Sequence, residues 1–330
     1  MACMLPIRIP LRYWILIVSL CIIAVCVHLW PEGESRIIVL ETEHVAQLTP
    51  HEHEDGDSVG DASHHQYILS QVFVAPHDMY ITQFAFDMVN APDTVVHHAS
   101  LLNHSAPHQT CSNVLPFSQM YIMAQDTMHN PVMTFPEGTG MRVKKGDVLQ
   151  LSVMIHNPLP PIGPGETYED AFSKLTLTYL KGSPFQKIKE ITPHLLHLDE
   201  RPCVIKPDHS DAYTFSVPPR TMDFRMKSTE APGDPSTYTF TAPSTLVYVG
   251  AHMHGWQGGK ELIVRKNGEP LLSFKTEVSS YPYRYDTPYY PTEVNFETGD
   301  TLTLEAVYDN PHNVPLRGVM GDLGIYFHER

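Results

Sequence analysis

Cysteine and basic residues are scarce in this 330-residue sequence. It has five cysteines, and its 22 Lys and Arg residues are outnumbered by 37 Asp and Glu residues, so the formal net charge is -15 at pH 7. Because phosphate binding requires clustered positive charge, this balance argues against a nucleic-acid partner. The sequence also lacks HExxH and CxxC motifs and a glycine-rich phosphate loop, which leaves no catalytic motif of those kinds. Histidine, by contrast, is abundant, with twenty residues.

The N-terminal segment predicts insertion into a membrane. Arg8 and Arg12 precede an uncharged run over residues 13–30, a pattern that leaves the basic end in the cytoplasm. The run is at the short limit for spanning a bilayer, and no clean small-x-small cleavage site follows it. An uncleaved signal anchor over residues 1–30 is favoured over a cleaved signal peptide. In both cases the folded part is exported, either anchored on the extracytoplasmic side or secreted.

Residues 31–65 are polar, acidic and without apolar periodicity, which predicts a tether between membrane and domains. Its histidines could collect metal ions, although a solvated linker is the favoured interpretation; they are His51, His53, His64 and His65. Beyond this segment only Cys111 and Cys203 remain, and they could form one disulfide in an oxidising compartment. Two unpaired buried thiols are the alternative.

From Tyr67 onward, short runs rich in Val, Ile, Leu, Tyr and Thr alternate with Pro, Gly, Asn and Asp. This pattern predicts an all-β fold of the sandwich type. The stretch "KELIVRKNGEPLLSF" predicts a hairpin centred on Asn267 and Gly268, a dipeptide that favours a type I′ turn.

Two segments resemble each other across the chain. "GDVLQLSVMIHNP" at 146–158 and "GDTLTLEAVYDNP" at 299–311 share the frame GDxLxLxxxxxNP, 153 residues apart. "VVHHASLL" and "GAHMHGWQ" precede them, and His98 and His252 are 154 residues apart. The common offset favours two β-sandwich domains of one plan over chance similarity, at 66–185 and 186–330, with the boundary in the polar stretch 182–202.

The stretch "AHMHG" carries two histidines on a predicted strand. Because strand side chains alternate between faces, His252 and His254 point the same way and Met253 points the other way. Two histidines so placed can bind one metal ion, although a single HxH pair is more often structural. In the second domain a third ligand must come from elsewhere, because Asp309 occupies the position that matches His156.

In the first domain His97 and His98 are adjacent, so joint ligation requires a bulge or a strand end. His156, on the first GD strand, is the natural third ligand. Spacing alone does not choose it over the remaining histidines nearby, which are His104, His108 and His129.

Met320 lies in "LRGVMGDLGIYF", in a glycine-rich turn before the final strand. A methionine is usually core filler. As a ligand, its soft thioether favours Cu(I) over Zn(II), so a His, His, Met set points to copper that cycles through the reduced state. A set of three histidines leaves the metal open.

These segments resemble the copper type II ascorbate-dependent monooxygenases, the family that includes peptidylglycine alpha-hydroxylating monooxygenase and dopamine beta-monooxygenase. "DTVVHHASLL" resembles the family's HH motif, and "FPEGTGMRVKKGDVLQLSVMIHNP" resembles the segment with the third histidine of the first site. "YVGAHMHGWQGGKELIVRKNG" resembles the HxH segment, and "VMGDLGIYF" resembles the segment with the methionine ligand. The four segments occur in family order between Tyr67 and the C-terminus.

The resemblance implies two tandem jelly-roll-like domains that each hold one copper and face each other across a cleft. It implies an enzyme that uses O2 and ascorbate, or a similar reductant, to hydroxylate a C–H bond of a small organic substrate. The electron-storing copper would be held by His97, His98 and His156. The catalytic copper would be held by His252, His254 and Met320.

The sequence departs from the peptide-amidating member at its substrate-anchoring positions. An Arg two residues before the HxH pair is here Gly250, and an Asn and a Tyr after the methionine are here Asp322 and Gly324. A carboxylate in this place would repel a peptide C-terminus. We therefore expect no peptide amidation, and a substrate that is neutral or cationic, such as an amine, on the side of Asp322.

Two other classes of function are weighed against the monooxygenase. An exported copper storage or delivery protein would keep the ligands without catalysis, and the histidine-rich tether would suit it. The other alternative is a β-sandwich binding module whose histidines are structural. In that interpretation the recurrence of candidate ligands in both domains is a coincidence, so it ranks last.

Overall fold

The computed structural model describes residues 34–50, 67–106, 120–126, 132–155, 165–182, 187–198, 215–228, 234–253, 258–276 and 289–330. Residues 36–330 form one compact unit, separate from residues 1–35. The described secondary structure is β-strand, with one 3-10 turn at Asp93–Val95. The predicted all-β class is therefore confirmed. None of the described segments forms a helix long and apolar enough to cross a membrane, and the predicted anchor at 1–30 lies outside them.

The strands follow one another in two series. Strands β1 to β11 span Ser35–Glu41, Val45–Leu48, Tyr67–Val74, Met79–Val89, Val96–Asn103, Met120–Asp126, Val132–Thr134, Thr139–Val143, Val148–Ile155, Tyr168–Lys181 and Lys189–Glu190. Strands β12 to β22 span Thr192–His197, Phe215–Val217, Thr221–Lys227, Thr237–Thr239, Ser244–Met253, Gly259–Lys266, Glu269–Lys275, Tyr289–Phe296, Thr301–Asn310, Leu316–Val319 and Gly321–Glu329. The chain passes from the first series to the second at Ile191.

Each series forms two packed sheets. In the first series one sheet has the order β1-β10-β4-β8-β11, with β2 and β7 at its margins, and the other has the order β3-β9-β5-β6. In the second series the orders are β12-β22-β16-β19 and β14-β20-β17-β18, with β15 beside β20 and a small β13-β21 pair. Strands β8 and β11 pair in parallel, and the other pairs whose register is described are antiparallel. The architecture is two tandem jelly-roll-like β-sandwiches.

Burial follows the alternation of the strands. In β9 every second residue from Leu149 to Ile155 is buried, and these side chains enter the first core. That core is formed mainly by residues 40–191, and a second core is formed by residues 196–327. Val247 and Tyr326 of the second series pack into the first core, so the two sandwiches share an apolar contact.

The two GD turns are built alike. The Gly146 amide donates a hydrogen bond to the Ala75 carbonyl at 2.8 Å, and the Gly299 amide donates to the Phe240 carbonyl at 2.8 Å. The φ angles of the two glycines are 88° and 89°, a region that glycine adopts without strain. This agreement supports the internal repeat inferred from the sequence.

Each GD aspartate is held by an asparagine at the end of a neighbouring strand. The Asn103 amide donates to Asp147 at 3.1 Å, and the Asn267 amide donates to Asp300 at 2.8 Å. Hydrogen bonds, first from the Glu297 amide and then from Asn267, lower the pKa of Asp300 to about 2. Both acids therefore serve the turns, and β5 and β17 are equivalent strands of the repeat.

This equivalence corrects the offset expected for the histidine motifs. Strand β16 precedes β17 and pairs with β22, as β4 precedes β5 and pairs with β10. His252 therefore lies at the end of one strand, whereas His98 lies at the start of the next strand of the repeat. The offset of 154 residues between His98 and His252 therefore does not mark equivalent positions and is a coincidence of loop lengths. Both motifs lie beside the same connection of the repeat, which joins β4 to β5 in the first series and β16 to β17 in the second.

The tether expected at 31–65 is wrong for residues 35–48. Strands β1 and β2 both pair with β10, and Leu40 and Leu48 are buried in the first core. His44 stacks on Phe172 with ring centroids 4.1 Å apart. These strands are too short for their alternation to stand out against the acidic composition. The remaining tether, with His51, His53, His64 and His65, lies outside the described residues.

The predicted hairpin is confirmed. Strands β17 and β18 pair in antiparallel register and are joined by Asn267 and Gly268. The φ angles of these two residues are 51° and 82°, as a type I′ turn requires.

Candidate metal centres

The second candidate centre lies at the end of β16, where this strand pairs with β22. In this register His252 is directly opposite Asp322, and Met253 is opposite Gly321. Met320 immediately precedes Gly321, the first residue of β22. The structure therefore brings His252 and Met320 to the same end of one sheet.

The backbone of Met320 is anchored to the second core. The Tyr308 hydroxyl donates a hydrogen bond to the Met320 carbonyl at 2.6 Å, and Tyr308 is fully buried. Met320 itself is partly buried and does not belong to that core. This placement argues against the core-filler alternative. The third predicted ligand, His254, lies outside the described residues.

Strand β16 presents His252 on the face that is turned away from the second core. Val249, Ala251 and Met253 are buried in that core, so the expected outward direction of His252 relative to Met253 is confirmed. On the same face as His252, Tyr248 contacts Phe135 of the first series, with ring centroids 6.3 Å apart. His252 is thus a partly buried residue on the face that meets the first sandwich.

The first candidate centre lies at the start of β5, and the backbone there is irregular. Val96 pairs with Ile155 and His98 pairs with Met154, so the register shifts by one residue at His97. The sequence required a bulge or a strand end if both histidines were to bind one ion, and this register shift meets the requirement. The side chains of His97 and His98 lie outside the described part of the structure.

The third predicted ligand of this centre, His156, also lies outside the described residues, but its chain neighbour Ile155 ends β9 at the bulged end of β5. One of the alternative third ligands, His104, does not lie at this end of β5. His104 follows Asn103 at the other end of β5, where its Nε2 is 2.6 Å from Gln150 Oε1. The other alternative ligands and both candidate disulfide cysteines lie outside the described residues; they are His108, His129, Cys111 and Cys203.

The structure adds a histidine that the sequence did not single out. His197 of β12 is directly opposite Asp322, on the side away from His252. His197 is 2% exposed, while its neighbours Leu196 and Leu198 enter the second core on the opposite face. His197, Asp322 and His252 therefore form a row across β12, β22 and β16. Only the register of these three strands reveals the row, because the sequence assigned residues 182–202 to a domain boundary.

The fit of copper to these residues depends on their donor atoms. Among the described side chains, no group of three or more His, Cys, Asp and Glu is placed to hold a metal ion. The side chains of four of the six predicted ligands lie outside the described part of the structure, and a fifth ligand is a methionine, which does not belong to those residue types. The second donor set combines imidazole with a thioether, which suits copper and disfavours hard cations. The donor chemistry and the strand register both fit a copper ion at the end of β16.

No family model matches the chain, and no curated protein matches it. Among solved structures, PNGase F, a glycosylasparaginase from Flavobacterium meningosepticum, matches with a TM-score of 0.38 and 10% identity, over 88% of this chain and 96% of that chain. The major capsid protein P2 of bacteriophage PM2 matches with a TM-score of 0.31 and 7% identity, over 89% of this chain and 97% of that chain. Similarity at this level says nothing about activity.

Proposed function

We propose that the chain is a copper-dependent monooxygenase that uses O2 and a reductant such as ascorbate to hydroxylate a C–H bond of a small organic substrate. The observation that carries the proposal is the placement of His252 and Met320 at one end of the β16–β22 pair. The register shift at His97, beside the end of β9, supports a second centre. The proposal has two coppers, one at each centre.

The described residues of the second centre have distinct tasks. His252 is presented by a strand whose other face is buried in the core, so its direction is fixed by packing. The thioether of Met320 favours the reduced metal, and the hydrogen bond from Tyr308 fixes the Met320 backbone. Copper, when bound, supplies one-electron redox chemistry and the activation of O2. An all-histidine first centre suits storage of an electron.

The overall reaction consumes one substrate C–H bond, one O2, two electrons and two protons. It yields one alcohol and one water. The two electrons come from the reductant, and ascorbate supplies them by its own oxidation.

The surroundings of His252 favour a small substrate that is not anionic. Gly250 and Gly324 are directly opposite each other on the same face as His252, and both glycines are buried. A Cβ added at Gly324 would lie 3.7 Å from the Tyr326 ring. Asp322, on the same face, adds negative charge beside His252. We therefore propose a neutral or cationic substrate such as an amine, and no peptide amidation.

The proposed location is outside the cytoplasm. Residues 1–30 supply the membrane-inserting segment in this proposal, either as a retained anchor or as a removed signal peptide. An exported enzyme would meet O2, copper and ascorbate there.

The proposed reaction is tested with copper-loaded protein, ascorbate, isotopically labelled O2 and a panel of small amines. We expect an alcohol that carries one labelled oxygen, and we expect Met320→Leu to abolish its formation. Met222→Leu is the matched control, because Met222 lies on β14 and is 59% exposed. Copper binding without any oxygenated product would indicate the storage or delivery protein instead. Turnover of glycine-extended peptides but not amines would contradict the proposed substrate class.

A further inference from the structure

The acid opposite His252 is paired in register with a histidine on each neighbouring strand. Asp322 of β22 pairs with His252 of β16 and with His197 of β12. Directly opposed residues of an antiparallel pair share a face, and their Cβ atoms are about 4.5–5.5 Å apart. One carboxylate therefore lies between two rings on one face of the sheet.

The row lies in a largely buried place. His197 is 2% exposed, and Asp322 and His252 are partly buried. Burial of polar groups in such a place is costly unless they are hydrogen-bonded or paired, so neighbouring polar groups usually serve one another. The two apolar residues that flank Asp322 in sequence, Gly321 and Leu323, face the second core, which leaves the carboxylate on the histidine side.

The same juxtaposition recurs at the first candidate centre. His98 of β5 is directly opposite Asp126 of β6. In each predicted centre one ligand histidine is therefore paired in register with an aspartate on the adjacent antiparallel strand. The recurrence is independent of the β16–β22 register, because the two pairs belong to different sheets.

We propose that Asp322 is the positioning residue of His252, and that His197 holds Asp322 from its other side. The inference rests on the proposed copper centres and gives Asp322 a role toward His252 in addition to its proposed place on the substrate side. A carboxylate beside a ligand histidine fixes the tautomer and direction of the ring and increases its basicity.

The test uses the full-length protein and measures copper affinity by competition with a Cu(I) chelator, together with the EPR spectrum of the Cu(II) form. Asp322→Asn removes the charge at constant shape. We expect it to weaken one of two coppers by roughly 10- to 100-fold and to change the EPR signal of that copper alone. We expect His197→Gln to give a smaller loss at the same copper.

Asp223→Asn is the matched control, because Asp223 is exposed and pairs with Lys260 on the other sheet of the second sandwich. It should leave both coppers unchanged. Thermal unfolding of the copper-free variants separates loss of fold from loss of positioning, and Asp322→Glu, which keeps the carboxylate, should recover part of the affinity.

The outcomes distinguish this inference from the proposed function. Two native coppers with unchanged affinity and EPR spectra in Asp322→Asn would overturn the positioning role and leave the monooxygenase in place. A change in amine KM without any change at copper would overturn it in favour of a substrate contact. A native protein that binds no copper would overturn the proposed function, and this inference with it.

Discussion

At the scale of single residues, the direction of each histidine is set by the face of its strand. On β12, His197 lies on the face with Asp322, whereas His194 is opposite Ile325 and lies on the core side. The His194 ring packs on Tyr238 with centroids 4.7 Å apart. His194 and His197 are three residues apart on one strand and therefore lie on opposite faces. His197 lies near the candidate centre, and His194 packs on the core side.

The pKa of His194 makes stability depend on pH. Burial lowers this pKa to about 4 from its ordinary 6.5. Between these values the unfolded chain binds the proton and the folded chain does not, so stability is lost as pH falls from about 6.5 to about 4, by up to about 1.4 kcal/mol per pH unit. Urea unfolding at pH 7, 6 and 5 measures this slope.

We expect His194→Phe to remove that part of the slope, because phenylalanine fits the apolar side of β12 and does not titrate. His312→Phe is the matched control substitution, since His312 is an exposed histidine. Equal slopes for the native protein and His194→Phe would contradict the lowered pKa, because they would mean that His194 binds its proton equally well in the folded and unfolded chains.

At the scale of elements, the turn between the HxH segment and β17 depends on close backbone packing. Gly258 has a φ of 85°, and a Cβ there would lie 2.0 Å from the Asp309 carbonyl oxygen. The Asp309 amide donates to the Gly258 carbonyl at 2.8 Å. This contact joins the connection after the HxH segment to the GD strand β20.

We expect Gly258→Ala to destabilise the protein strongly. Gly268 has nearly the same φ, 82°, with no atom within 4 Å of an added Cβ, so Gly268→Ala isolates the backbone cost of about 1 kcal/mol. Gly258→Ala adds a clash with backbone and should cost at least about 2 kcal/mol more. Denaturant unfolding of both variants gives the difference, and equal losses would contradict the close approach at Gly258.

The elements that could be predicted from the sequence are those with a local signal, and the elements that depend on distant strands could not be predicted. The hairpin at Asn267 and Gly268 and the GD turns depend on neighbouring residues, so their sequences specify them. The row through Asp322 depends on the register of strands that are far apart in the chain, which no local pattern contains. Strand β1 was missed for a similar reason. Its place in the sheet comes from pairing with β10, which is far away in the sequence.

At the scale of the whole molecule, the scaffold is repeated but the candidate centres are not. Strands β3-β9-β5-β6 and β14-β20-β17-β18 share their order, and the GD turns share their hydrogen bonds. The centres themselves are not copies, since one lies at the start of β5 and the other at the end of β16. A duplicated scaffold with differently placed ligands allows two metal ions to take different tasks.

The count of copper ions per chain tests the two-centre account most directly. Full-length protein is loaded with copper, freed of excess and analysed for bound metal, with Met320→Leu in parallel and Met222→Leu as control. We expect two coppers in the native protein and the control, and one firmly bound copper in Met320→Leu. One copper or none in the native protein would contradict the account, as would a Met320→Leu protein that retains both at native affinity.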